Sequence, residues 1–477
     1  MCLGIFMETV NSSQATYDGV CQFIKQQFLD AHTQSYDQMK RTLADLTEVE
    51  PLMTDMCSEM CVVFTGPFSD LCMCLECSVP RYETISQGNK RVTVSCKQVL
   101  TIPIGPQIQA QYQSRKCVWN MGHRCRVMEP LLAQLHAGGS INVYKDVYCS
   151  SILLDAARRG DLTSDDTLLM LSIDGTQLYQ SKQSGCWIYI WVLLDLVPDL
   201  HYKKKYVLPS GFIPGPTNLR ILTLLSTLGC TTSRHYKGTA CAFETVRPGT
   251  SLPCTRSSSW ALQMDLAALH GQVGHHGVFG CREYCGLRGC HKPGGPHYHP
   301  ALRKPLNYKL SGCNYNDIDI YELPVASQWL YLRKLDCVLG RQTDAQFRLA
   351  WKETGLCKPS IFMGLPLSHS SRLPGCLAID HMHIIMINLS DLLIVLWRGS
   401  IDCERNDSRD RWDWAMLVGD TWKLHGQDVA CCHAYLPGSF DCPPQNPAEK
   451  ISSGYKAWEV LIYVFGYCPA LLCGILP

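Results

Sequence analysis

Apolar and polar positions follow two different rhythms along this chain. Near residues 17–47, Val20, Phe23, Ile24 and Phe28 recur at intervals of three and four, and Met39, Leu43 and Leu46 repeat the pattern. That spacing predicts amphipathic helices. A further helix is predicted near Glu129–His136. The rhythm then changes. Three short apolar runs, near 168–174, 186–194 and 205–213, are separated by polar turns and predict three consecutive buried strands, the first closing on Asp174 and Gly175. Two later apolar stretches resemble membrane spans in composition only. His383–Trp397 is too short and carries Asp391, and Ala457–Pro477 contains Glu459, two cysteines and Pro469, so both read as core elements.

With 477 residues, 46% of them hydrophobic, the chain can bury one substantial core and a smaller module. A net charge of +1 makes any phosphate-binding surface a local feature; Lys203–Lys205 is the candidate run, with a solvated surface as the plain alternative. The opening MCLGIFMETVNSSQ lacks the basic region and long apolar core of a signal peptide. The twenty-eight cysteines therefore read as intracellular thiols and metal ligands rather than disulfides. Cys57, Cys61, Cys74 and Cys77 form C-x3-C-x12-C-x2-C, two close pairs that suit the tetrahedral preference of zinc. Ordinary free cysteines are the alternative, and Cys72 is a competing ligand.

Several long motifs occur in a fixed order: CSEMCVVFTGPFSDLCMCLECSVPRYE (Cys57–Glu83), TIPIGPQIQA (Thr101–Ala110), GSINVYKDVY (Gly139–Tyr148), SIDG (Ser172–Gly175), KKKYVLPSGFIPGP (Lys203–Pro216), VGHHGVFGCREYCG (Val273–Gly286), DHMH (Asp380–His383), DLLIVLWRGSIDC (Asp391–Cys403), GDTWKLHG (Gly419–Gly426) and NPAEKISSGYKAWE (Asn446–Glu459). Through them the chain resembles the DNA transposases of CACTA (En/Spm) elements, especially the fungal branch. The resemblance implies an α/β fold: an RNase H-like catalytic core with insertions, preceded by N-terminal helices and a small zinc-ribbon-like module. The corresponding segments are 1–56 (helical), 57–100 (zinc module), 101–165 (connecting) and 166–477 (core). It also implies a nuclear protein whose partner is DNA, the transposon's terminal repeats. Homo-oligomeric assembly is an option; neither a membrane nor a small-molecule substrate is expected.

The implied chemistry is phosphodiester attack by two Mg²⁺ or Mn²⁺ ions about 4 Å apart, held by clustered carboxylates. Asp174 is the expected first ligand, and Glu459 the candidate third acid, with a buried or capping glutamate as its alternative reading. The family usually has CP-x-CG in its second cysteine pair, where this chain has Leu75 and Ser78, so a looser second knuckle is expected. Cys281, Cys285, His291, Asp380 and His383 match a second cluster, able to hold another zinc or to hydrogen-bond within an insertion; Cys290 departs from the pattern.

Between Pro216 and Leu269 the resemblance stops, then resumes at full strength. Reading the third base of each codon with the first two of the next, within wobble limits, turns Gly229–Thr245 into LHHISALQRDGLRIRD and Ala261–Ala267 into TADGPG. Residues 217–268 accordingly read as a shifted frame, with a genuine variable insertion as the alternative. The aspartate of DGPG, the expected second catalytic acid, is lost, its codon straddling Gln263 and Met264. Asp265 lies next door in a local sequence not expected to form a strand. Relatives continue beyond CGILP, so exposed apolar surface around Val460–Ile475 is expected, with instability or aggregation. Two functions compete: a transposase with a catalytic defect, and a non-catalytic, zinc-containing DNA-binding remnant. A hydrolase elbow, a Walker loop and dinucleotide glycine spacing are all missing.

Overall fold

The computed structural model describes residues 1–177, 185–215, 243–244, 253–254, 259–264, 270–274, 276–281, 283–290, 297–298, 302–303, 316–360, 363, 373–375, 377–378, 382–401, 410, 412–438, 440, 442–452 and 455–475. It is a mixed helix and sheet protein that divides into two compact units, Met1–Ala378 and Ile379–Pro477.

The first unit is organised by a seven-stranded mixed sheet. In chain order its strands are β1 (Leu52–Asp55), β4 (Gln98–Thr101), β5 (Thr167–Gln177), β6 (Gly185–Leu193), β7 (Leu208–Pro214), β10 (Ser259–Met264) and β11 (Leu377–Ala378). Two ribbons stand apart from it: β2 (Tyr82–Gln87) with β3 (Lys90–Ser95), and β8 (Phe243–Glu244) with β9 (Pro253–Cys254). Across the sheet the order is β1-β4-β7-β6-β5-β10-β11. Neighbours from β1 to β5 are antiparallel, whereas β10 runs parallel to both β5 and β11.

The three apolar runs become β5, β6 and β7, and the reason for their continuous hydrophobicity is now physical. Leu168, Met170, Val192 and Leu194 pack on one face against Met128, Tyr148, Leu153 and Leu154, from helix His123–His136, the turn after it and helix Ser151–Arg158. Leu169, Leu193 and Leu208 pack on the other face against Ile108 and Met121, from helices Ile104–Ala110 and Arg115–Met121. A strand covered on both faces has no need of polar alternation.

Tertiary contacts add three features that spacing does not show. Helices do form over Gln14–Gln27 and Tyr36–Thr47, but Val20, Phe23, Phe28 and Leu46 are exposed; the buried cluster is Phe6, Tyr17, Cys21 and Met39. In the buried cluster Phe6, Tyr17 and Tyr36 meet ring to ring at 5.3–5.7 Å. Second, β1 and β4, on either side of the cysteine pairs, join the main sheet. Third, a strand does form inside 217–268. SWALQM alternates in period two and pairs parallel with β5, from Ser259 opposite Thr167 to Gln263 opposite Leu171.

In the second unit, helices Ser390–Trp397 and Asp420–Cys431 gather Ile394, Trp422 and Val429 with Leu417, Tyr463, Val464, Cys468 and Leu472 in one core. The late apolar stretches are thus core elements, and no helix among the described residues is long and apolar enough to cross a membrane. The expected exposure around Val460–Ile475 is only local: Tyr463, Val464, Cys468 and Leu472 are buried, and Phe465 is left exposed.

Candidate metal centre

Two tight hairpin turns build the best-formed site. In the first, Cys57 N–H donates to Val62 O at 2.9 Å and Met60 N–H to Cys57 O at 2.8 Å. In the second, Cys74 N–H donates to Val79 O and Ser78 N–H to Cys74 O, both at 2.9 Å. The pairs Met56–Val63 and Met73–Pro80 close the two turns behind their cysteines. Met60 and Ser78 each take a left-handed φ of 59°, which lets each chain fold back on its own thiol. The second knuckle is therefore as tight as the first, against expectation, with Ser78 adopting the conformation that glycine takes more easily.

The consequence is a convergence of four thiols. One sulfur from each of Cys57, Cys61, Cys74 and Cys77 lies within 4.8 Å of all the others, and Cys57 Sγ is 3.4 Å from Cys77 Sγ. Bonds of about 2.3 Å to a tetrahedral ion require sulfurs roughly 3.8 Å apart, so this donor set fits a metal such as zinc. Cys57, Cys61 and Cys74 are buried; Cys72 is exposed and outside the group. Burial pushes the Cys57 and Cys61 thiols up, while the Val79 N–H draws Cys77 down. Without a cation the buried positions favour neutral thiols, and a bound cation would reverse that preference.

A polar brace sits beside this cluster. Asp55 accepts from Arg81 Nε at 2.8 Å, Ser95 Oγ at 2.5 Å and Gln98 Nε2 at 3.0 Å, while Arg81 also donates to the carbonyls of Ser69 and Leu71. Burial alone would raise the Asp55 carboxyl, but hydrogen bonds from Ser95, Gln98 and Arg81 hold it below its ordinary value. Sequence reasoning missed this network. It also missed Arg124–Asp195, an ion pair at 2.7 Å with both side chains 3% exposed. Asp195 further accepts the Leu168 N–H at 2.5 Å, and Arg124 donates to the Thr163 and Asp166 carbonyls. Partners 71 residues apart leave no local signal.

The expected catalytic acids have contrasting settings. Asp174 is exposed on β5, opposite Ile188 of β6 and three residues beyond Leu171, where the ladder with β10 ends. It accepts the Gly175 N–H at 2.8 Å. Glu459, in the second unit, is 4% exposed, and both its oxygens are engaged: Oε1 by Gln445 at 3.2 Å and Oε2 by the Lys456 N–H at 3.0 Å. This is the geometry of the capping alternative. Among the described residues Asp174 belongs to no group of three metal-binding side chains. Among the described residues no group of carboxylates fits a two-ion centre.

The second cysteine–histidine cluster is only partly visible. Burial, and then the neighbouring Cys281, push the Cys285 thiol up. His291 and Asp380 lie outside the described residues, as does the side chain of His383. Cys290 and His297 join no three-ligand group among the described residues. The Lys203–Lys205 run is exposed; Lys204 donates to Asn11 at 2.6 Å, and Lys205 lies 5.8 Å from the Tyr206 ring centre.

No protein-family model matches this chain, and no curated protein is significantly similar to it.

Proposed function

We propose that this protein is a nuclear, zinc-containing DNA-binding protein derived from a CACTA-type transposase, with an RNase H-like core whose strand-cleaving step is impaired. The observation that carries the reading is the strand order β7-β6-β5-β10-β11, an antiparallel meander of three strands followed by two parallel ones. That arrangement is what an RNase H-like sheet requires. It brings the carboxyl ends of β5, β10 and β11 to one edge, the region where open α/β sheets bind ligands. Asp174 stands on β5 past the end of the β10 ladder.

The same register supports the shifted-frame reading. The codon that straddles Gln263 and Met264 falls at the end of β10, where Gln263 is opposite both Leu171 of β5 and Leu377 of β11. An aspartate restored there would enter the edge that carries Asp174. Neither Gln263 nor Met264 can supply a carboxylate, and Glu459 serves as a cap. Both facts favour the non-catalytic form of the reading.

The test compares the chain as it stands with a version whose reading frame is restored over 217–268. Each is incubated with transposon-end DNA and Mg²⁺ or Mn²⁺. The present chain should bind without nicking; the restored chain should nick, and Asp174→Asn in it should lower the rate at least 100-fold. Nicking that survives Asp174→Asn would remove Asp174 from the reaction. Absence of DNA binding by either form would overturn the whole reading.

A further inference from the structure

Among the described residues the β2–β3 ribbon is the one strand pair of this length that joins no larger sheet. All six residues of β2 are exposed, as are Lys90, Arg91 and Thr93 of β3. A free two-stranded ribbon is marginal by itself in water. Here its base is clamped. Arg81, the residue before β2, lies over the Phe64 and Tyr82 rings at 4.9 Å each and pairs with Asp55, which also takes the Ser95 hydroxyl. The Cys96 N–H closes the base on Arg81 O at 3.0 Å, and the Cys74–Cys77 knuckle immediately precedes it. The fold thus invests a metal-site knuckle and a partly buried ion pair in holding out a hairpin that buries little of itself.

What the hairpin displays is chemically one-sided. Its register pairs Tyr82 with Ser95, Thr84 with Thr93 and Ser86 with Arg91. Cross-strand partners share a face, so these six form a face of four aliphatic hydroxyls, one phenol and one guanidinium, whose carboxylate contact, Asp55 on Ser95, is at the base. Glu83, the only acid of the two strands, is on the opposite face. The tip is a two-residue turn, with Gly88 at φ +62°, followed at once by Lys90 and Arg91. At the tip Arg91 stands on the hydroxyl face and Lys90 on the opposite one, so a cation on each side of an arm rich in hydroxyl donors complements a phosphate backbone. Six-residue strands reach roughly 20 Å, and a major groove about 12 Å wide admits a two-stranded ribbon.

We infer that the β2–β3 ribbon is a duplex-DNA contact arm, with Lys90 and Arg91 reaching phosphates and the hydroxyl face lying along the groove. This deepens the proposed function and rests on its DNA-binding part. A protein chain adding to the ribbon's open edge is the competing occupant, but main-chain pairing would not call for the cationic tip or the hydroxyl-rich face.

The experiment uses the full, metal-loaded chain and a short fluorescent DNA duplex of mixed sequence, titrated over a range of salt. Lys90→Gln with Arg91→Gln should weaken binding roughly tenfold at about 0.1 M salt and reduce the slope of log K against log salt by about 2, since each lost phosphate contact removes about 0.9. Glu83→Gln, on the other face, should bind no more weakly than the parent. Circular dichroism and one bound metal per chain verify that the variants are folded. A double variant with unchanged affinity and slope overturns the ribbon assignment and leaves DNA binding intact. A parent chain that does not bind the duplex overturns both.

Discussion

Single residues at the cysteine cluster decide whether the first unit can hold a metal. A ligand removed from a four-thiolate site leaves an incomplete tetrahedron, so Cys74→Ser should bring the bound zinc from one ion per chain to none by elemental analysis. The pH dependence has opposite signs in the two states. Burial raises the Cys57 and Cys61 thiols above their ordinary value in the metal-free fold. Their contribution to stability is therefore present below the ordinary thiol value and lost as pH climbs through it, because the unfolded chain releases those protons first. In the metal-bound fold the thiolates must be deprotonated, so affinity falls as pH drops. Chelator-treated protein should lose denaturation midpoint on the alkaline side, and zinc-loaded protein on the acid side. A metal-free midpoint that rises with pH would contradict this account. Arg124→Met tests a separate residue. It strands Asp195, 2% exposed, without its cation, and should cost about 3–5 kcal/mol in urea unfolding.

At the scale of elements, turns and caps separate local from tertiary control. Ser78→Gly should stabilise the second knuckle by about 0.5–1 kcal/mol, because a left-handed φ is strained for serine and Ser78 is not buried. Met60 has the same φ but is 2% exposed, and Met60→Gly should be net destabilising through lost burial. Thermal melts of the two zinc-loaded variants should shift in opposite directions. Glu459→Gln should leave melting nearly unchanged, since an amide oxygen can still accept the Lys456 N–H, whereas Glu459→Ala should cost about 1 kcal/mol. The strands at 168–213 were legible because burial on both faces writes an unbroken apolar run. The N-terminal helices were legible in period but not in face: exposed Val20 and Phe23 follow the same spacing as buried Tyr17 and Cys21. The short strands β1, β4 and β11 carry no such run, and only their neighbours in the sheet make them strands.

For the whole molecule, two units with separate cores predict separable stability. Removing the metal should raise hydrogen exchange over residues 52–101 and leave Asp420–Cys431, in the other unit, protected. Equal deprotection of both would show that the metal centre supports the entire chain. A net charge of +1 would confine the proposed DNA binding to local features, and the salt slope of the parent chain should correspond to a few phosphates rather than many.

By itself the sequence determined the cysteine pairs that can share an ion, the existence and order of the three central strands, and the helical rhythm around them. All of these depend on spacings short enough to be read within one element. Tertiary structure alone decided that the cysteine module is flanked by strands of the main sheet, that SWALQM becomes a parallel strand beside β5, and that Arg124 answers Asp195. It also decided that Glu459 ends as a cap and that a basic hairpin with an exposed β2 stays out of the main sheet. Those outcomes turn on contacts between residues far apart in the chain, whose energies exist only once burial has brought the partners together.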